Sequence, residues 1–307
     1  MSEIDLSKSV HQKLMNKAKE ANRPFNELLQ YYAMERFLYR LSSSRYSDRF
    51  ILKGALMFIL WDIPGMQTRP TRDIDLLGII DNDLESMKVV FSEISKVPVV
   101  DDGIQFNPDD IDITAITEEA DYRGTRIKIK GNLGNAKLSL QIDIGFGDIV
   151  LPEPVKLKYP SILSFPAPEI KGYSPESVIA EKLQAMVKLG IINSRMKDFY
   201  DIRVMSEVFN FDGRILSDSI RSTFNNRETE IPVEPVFLQD SFREDPLKQT
   251  QWKAFIRKTG VDNKIADFKD TVSHIEGFIK PVLTAIVKDK SFNYKWKSGG
   301  PWISKSS

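Results

Sequence analysis

Apolar residues at three- and four-residue intervals mark two helices near the start of the chain. Val10, Leu14, Ala18 and Ala21 form one stripe, and Leu28, Leu29, Tyr32, Ala33, Phe37 and Leu41 form another, with Asn26 placed to cap it. Both are expected to pack beside a sheet. Residues 50–53 read as a buried strand, Gly54 breaks it, and the apolar run 55–61 predicts a helix. A second strand opens at Asp73-Ile74-Asp75, with Leu76 and Leu77 going into core. Residues 83–96 have acids early, a lysine late and an apolar stripe, the pattern of a helix. Three β-like runs follow at 111–117, 126–130 and 137–144, the last two joined by the turn signal Gly131-Asn132-Leu133-Gly134-Asn135.

Prolines 152, 154, 160, 166 and 168 make residues 151–173 extended and turn-rich, and the boundary between lobes is placed there, giving 1–155 and 156–307. Ser174-Pro175 then starts a helix, as cap and first helical residue, and Gly190 closes it after Ile179, Leu183, Met186 and Val187. A further helix spans 195–209. Val272, Ile275, Phe278, Ile279, Val282, Leu283 and Ile286 predict a helical end to the chain, kinked or broken at Pro281. The last stretch interleaves Tyr294, Trp296 and Trp302 with Lys295, Lys297 and Lys305. It reads either as a platform for single-stranded RNA or as a tail tied down by its tryptophans.

The pattern has one chemical consequence that stands out. Residues two apart on a strand share a face, so Asp73 and Asp75 are forced side by side. A divalent cation relieves their repulsion; a solvated strand end is the alternative. In the run 137–144, Leu138, Leu140 and Ile142 take one face, and Lys137, Ser139, Gln141 and Asp143 the other. Asp143 is therefore a carboxylate on a strand face that could sit next to Asp73 and Asp75, with Asp148 as the fallback. Upstream, the Lys53-Gly54-Ala55 turn opens a helix whose first N–H groups favour an anion such as phosphate.

Composition narrows the chemistry. The 307 residues contain no Cys and two His, so thiolate and His-cluster metal sites are excluded and any metal is oxygen-ligated. Forty-three basic residues balance 43 acidic ones, so a nucleic-acid partner would need a local basic patch rather than a global field. Lys53, Arg69, Arg72, Lys182, Lys188, Arg195 and Lys197 are the available members of such a patch. No leader pattern and no membrane-length apolar run is visible, which predicts a cytoplasmic protein with no membrane partner.

Lys53-Gly54 with Arg72-Asp73-Ile74-Asp75-Leu76 resembles the first motif of the AbiEii/AbiGii toxin family, in the DNA polymerase beta-like nucleotidyltransferase superfamily. Gln141-Ile142-Asp143-Ile144-Gly145 stands in the place of the superfamily's third acidic residue. Glu181-Lys182-Leu183-x-Ala185 and Lys197-Asp198-x-x-Asp201 resemble the third and fourth motifs, and the similarity covers about residues 28–208. Where many relatives have Gly-Ser this chain has Gly54-Ala55, and Thr71 stands where many have Ser.

The resemblance implies an α+β fold, with a nucleotidyltransferase-type mixed sheet flanked by helices. A mainly helical C-terminal lobe would follow and contribute to the active-site cleft. It implies an NTP substrate bound around Lys53, Gly54, Ala55, Thr71, Arg72 and Lys182. Mg²⁺, or Mn²⁺ in its place, would be held by Asp73, Asp75 and Asp143. Lys182 would contact the triphosphate, and Asp198 or Asp201 would hold the basic groups or the acceptor in register. It further implies a toxin of a type IV toxin–antitoxin or abortive phage infection system, with a cognate antitoxin and an RNA acceptor, preferably the tRNA 3′ end. Transfer to a protein or small-molecule hydroxyl, and nucleotide binding without catalysis, are the rival readings. From the pattern alone, Lys182 is a surface lysine and Lys197–Asp201 an ordinary ion pair.

Overall fold

The computed structural model describes residues 3–61, 69–118, 122–261 and 267–305. It opens with α1 (Glu3–Glu20) and α2 (Phe25–Ser42), then β1 (Phe50–Lys53), α3 (Leu56–Leu60), β2 (Asp73–Gly78) and α4 (Leu84–Ser95). Three long strands follow, β3 (Ile104–Glu118), β4 (Tyr122–Leu133) and β5 (Ala136–Phe146), and then two short ones, β6 (Val155–Lys158) and β7 (Glu169–Gly172). The rest is mostly helical: α5 (Pro175–Leu189), α6 (Met196–Val208), β8 (Phe211–Asp212), α7 (Gly213–Asn226), α8 (Asp240–Arg243), α9 (Pro246–Thr259), α10 (Phe268–Val287), β9 (Tyr294–Trp296) and β10 (Trp302–Ser304). The expected α+β class holds.

The chain divides into two compact units. The first comprises Met1–Asp62, Thr71–Gly147 and Val155–Gly172, and the second Ile63–Pro70, Asp148–Pro154 and Tyr173–Ser307. Residues 62–68, between β1 and β2, lie outside the described residues.

Unit one is a seven-stranded mixed sheet in the order β3-β4-β5-β2-β1-β7-β6. β2 runs parallel to β5 and β1 parallel to β7, and the other neighbours are antiparallel. β6 and β7 fall within the proline-rich segment, which returns to the sheet as its far edge. Ile74 and Leu76 of β2, with Leu140, Ile142 and Ile144 of β5, are buried to within 0% exposure, so the two central strands carry the core. α2 packs against β5 and α4 against β3, with the Phe37 and Phe91 rings stacked at 5.9 Å and Phe50 of β1 meeting Phe91 edge-on. Pro24 rather than Asn26 precedes α2: its ring fixes φ at −59°, and no side chain caps the helix. Ala21, expected on the stripe of α1, lies just past its end and is exposed.

In unit two, Ser174 caps α5 by accepting from Ser177 N–H, and Gly190 ends it with φ +50°. Both follow the sequence pattern. Pro281 lies inside α10, which continues past it to Val287. Phe199, Phe237, Phe242, Trp252 and Phe268 form one aromatic core among α6, α8, α9 and α10. Trp296 and Trp302 form another with Phe211 and Phe278, closed by the small sheet β10-β9-β8.

Candidate active site

A row of charged residues crosses the middle of the unit-one sheet. Lys53 on β1 pairs in register with Asp75 on β2, Asp75 with Asp143 on β5, and Asp143 with Arg126 on β4. Register partners project from the same face. The order of charges is therefore plus, minus, minus, plus, and Asp73 lies two residues from Asp75 on that face. Asp73 and Asp75 are half-buried and Lys53 and Asp143 buried.

The Asp143 carboxylate is held on both oxygens. Arg126 Nε donates to Oδ1 and Nη2 to Oδ2, each at 2.8 Å, and Gln141 Nε2 reaches Oδ2 at 3.4 Å. Such a two-pronged arginine–carboxylate pair fixes orientation as well as charge. The sequence reading passed over Arg126, yet its place follows from the hairpin. Counting from the two-residue turn at Gly134 and Asn135, Leu133 pairs Ala136, and seven residues further along each strand Arg126 meets Asp143.

Gly54 has two reasons to be glycine. Its φ is +68°, and a Cβ built on it would stand 2.0 Å from Asp75 Oδ2 and 2.6 Å from Asp75 Cγ. The turn therefore presses its backbone against the Asp75 carboxylate. The helix it leads into, α3, has five residues rather than the seven expected, and Ala55, buried, is the residue before it.

The entry to β2 is pinned from α2. Tyr31 Oη accepts from Thr71 N–H at 3.0 Å, and Gln30 Nε2 donates to the Arg72 carbonyl at 3.1 Å and to Ser139 O on β5 at 3.3 Å. Gln30 thereby ties the start of β2 to its neighbour strand. The Thr71 hydroxyl lies at long range, 3.4 Å, from the Asp73 carbonyl, and the Arg72 side chain is exposed.

The donors gathered here are carboxylate oxygens on two adjacent strands, hard ligands of the kind that suit Mg²⁺ or Mn²⁺. Among the described residues no three acidic or histidine side chains stand converged as a metal-holding group, and Arg126 engages both Asp143 oxygens. The donor type, carboxylate oxygen, suits such a cation, while Asp143 is turned to its arginine.

Unit two gathers the residues of the other two motifs. Lys182 of α5 lies 2.9 Å from Asp198 Oδ1 and 2.7 Å from Asp201 Oδ2, both on α6. Arg195 donates to Asp198 at 2.6 Å, and Arg69 grips Asp201 through Nε at 3.1 Å and Nη2 at 3.2 Å. Both carboxylates are sealed from solvent, so the surface-lysine reading of Lys182 fails. Burial raises the pKa of each carboxylate, but Lys182 and Arg195 at Asp198, and Arg69 and Lys182 at Asp201, outweigh it and hold both below the ordinary range. Burial likewise pulls Lys182 down, and its two aspartates more than restore it. Asp201 is paired with Lys182 and Arg69, not with Lys197 as the four-residue spacing predicted. Lys197 is exposed, and dense surroundings of its ammonium depress its pKa.

Asp148 has a partner of its own. Arg227 donates to it at 2.9 Å and to Gln184 at 2.8 Å, while Tyr173 Oη donates to Glu181 at 2.8 Å. This network fastens residue 148 to α5, a structural use of the fallback carboxylate.

No curated protein matches the chain. Two solved Helicobacter pylori structures are similar. JHP933 has 16% identity and a TM-score of 0.47, with 86% of this chain and 94% of that one covered. A protein provisionally described as a nucleotidyltransferase has 14% identity and a TM-score of 0.45, with 92% and 97% covered. Residues 36–274 match the family described as nucleotidyl transferase AbiEii toxin, type IV TA system. That span holds all four motifs, and the chain is a nucleotidyltransferase that belongs to the AbiEii toxin family.

Proposed function

We propose that this chain transfers NMP from an NTP to the 3′ hydroxyl of an RNA, with tRNA as the acceptor, using Mg²⁺ or Mn²⁺ held by Asp73, Asp75 and Asp143. The observation that carries the reading is the cross-strand pairing of Asp75 with Asp143, with Asp73 on the same face. A divalent cation held by these aspartates would supply positive charge to the triphosphate and would acidify the attacking hydroxyl.

The remaining roles belong to the chain. Asp143 accepts the proton of the acceptor hydroxyl as it attacks the α-phosphorus, and pyrophosphate departs. Lys53, beside Asp75, offsets part of the carboxylate charge and offers a cation to phosphate. Gly54 and Ala55 let the backbone come close, with Thr71 and Arg72 at the mouth of β2. Within unit two, Asp198 and Asp201 hold Lys182, Arg195 and Arg69 together as one ion-paired cluster.

Membership of a type IV toxin–antitoxin family implies a cognate antitoxin. Among the described residues no helix is long and apolar enough to cross a membrane. We place the protein in the cytoplasm, acting in phage defence.

The test incubates the protein with each labelled NTP, Mg²⁺ and total RNA. Label should enter tRNA in wild type and in no RNA with Asp75→Asn, and tRNA with a periodate-oxidised 3′ end should bind without accepting it. Binding should weaken with salt by roughly 0.7 to 0.9 logarithmic units per phosphate contact for each tenfold rise. Equal labelling of oxidised and intact tRNA, or label on protein or a small molecule alone, overturns the RNA acceptor. A cellular effect that persists in Asp73→Ala overturns catalysis as its cause.

A further inference from the structure

The proposed ligand Asp143 is already in the hands of a cation. Arg126 meets both of its oxygens at 2.8 Å, while the register partner on its other side is Asp75, a second carboxylate. A buried carboxylate beside another of the same sign is repelled by it, and here the arginine offsets that repulsion. The two partners differ in freedom. The Asp143 side chain is 10% exposed and fixed in the sheet, whereas that of Arg126 is 37% exposed, so the guanidinium can move toward water on its flexible stem.

We propose that Arg126 is the resident counter-ion of Asp143, which holds the carboxylate oriented before a divalent cation arrives and sets the cation concentration at which the site fills. This rests on the reading of Asp73, Asp75 and Asp143 as cation ligands. The three aspartates carry three negative charges against the positive charges of Lys53 and Arg126. Removing Arg126 leaves a more negative site and takes the guanidinium off both Asp143 oxygens, with Gln141 still near Oδ2, so a divalent cation binds more tightly. Like charges a few ångströms apart near a protein surface interact strongly enough for roughly a tenfold change in affinity. Arg126 is thus a positioning residue, acting through Asp143 rather than on the substrate.

The experiment is Mn²⁺ titration of the full chain, with free Mn²⁺ followed by electron paramagnetic resonance and thermal shift measured in parallel. Arg126→Gln should bind Mn²⁺ about tenfold more tightly than wild type. It should melt lower without Mn²⁺ and gain more melting temperature from it. Arg126→Lys, which keeps the charge but loses the fork, should fall between the two. Asp75→Ala reports on the underlying reading. Mn²⁺ binding that is absent in wild type, or untouched by Asp75→Ala, overturns that reading and this inference with it. Binding that Asp75→Ala removes but Arg126→Gln leaves unchanged or weakens overturns the inference alone.

Discussion

Lys182 Nζ lies 2.7 Å from the Asp201 carboxylate, and its own side chain is 11% exposed. Replacing it removes the shared partner of two buried carboxylates at once, leaving Arg69 to Asp201 and Arg195 to Asp198. Breaking a buried pair from one side typically costs about 3 to 5 kcal/mol. Lys182→Ala should therefore lower the free energy of urea unfolding by an amount of that order, in addition to any effect on nucleotide use. A variant that unfolds like wild type would show that the cluster does not hold α5 to α6.

Gly54→Ala should be more damaging than its size implies. The new methyl would lie 2.0 Å from Asp75 Oδ2, and the φ of +68° is strained for any L side chain, at about 1 to 2 kcal/mol. Relief requires Asp75 to move out of register with Asp143. The expected result is at least a hundredfold loss of transfer activity, with a loss of unfolding free energy of about 1 kcal/mol or more. Near-normal activity in Gly54→Ala would mean that Asp75 can work from another position.

How much of this could be read in the sequence follows from what each pattern encodes. Alternation within β2 placed Asp73 and Asp75 on one face, and alternation within β5 put Asp143 on the polar face of its own strand, because period-two patterning is a property of single strands; that β5 lies beside β2 was implied by the resemblance alone. Cap chemistry located α5, with Ser174 and Gly190 at its ends. What the pattern did not convey were partnerships set by register or tertiary packing. Arg126 was overlooked although the hairpin fixes it, and Lys182 was read as a surface residue because spacing along α5 says nothing of α6. The nearest available partner in sequence, Lys197 for Asp201, was displaced by Arg69, far away in the chain. β6 and β7 were hidden because prolines dominate the segment around them.

Trp296 and Trp302 are spent on packing, which favours the tied-down tail, while Tyr294 stays exposed. The Trp296 indole donates to Ser206 O at 2.6 Å and the Trp302 indole to Phe278 O at 2.8 Å, and the Trp302 ring lies parallel to that of Phe278. A Cβ on Gly300 would sit 2.5 Å from the Trp296 ring, so the strand-to-strand turn is fitted around it. Trp296→Ala should cost about 3 to 5 kcal/mol of stability. At temperatures where the variant stays folded, its affinity for single-stranded RNA should equal that of wild type. A selective loss of RNA affinity in a stable variant would restore the stacking platform.

The buried charges of unit two also set how stability responds to pH. Asp198 and Asp201 titrate below the unfolded value of about 3.9, so their contribution is complete above that pH and is lost as pH falls through the lower folded values. Lys182 titrates above its unfolded value of about 10.4, so its contribution is complete below that pH and is lost only as pH rises beyond it. His274 adds an earlier step. Burial first, then Arg203, depresses its pKa, and its ring nitrogen lies 2.8 Å from Ser206 Oγ, so the fold favours the neutral ring and loses stability as pH drops below about 6.5. His274 should thus withdraw stability below about pH 6.5, against the opposite trend of Glu35 and Glu176, whose pKa values burial raises. Below about pH 4 unfolding free energy should fall steeply, by about 1.4 kcal/mol per pH unit for each proton taken up. In the double variant Asp198→Asn, Asp201→Asn the acid limb should flatten while the step near 6.5 remains, and in His274→Gln the reverse should hold. An acid limb as steep in the double variant as in wild type would assign the acid sensitivity to other carboxylates.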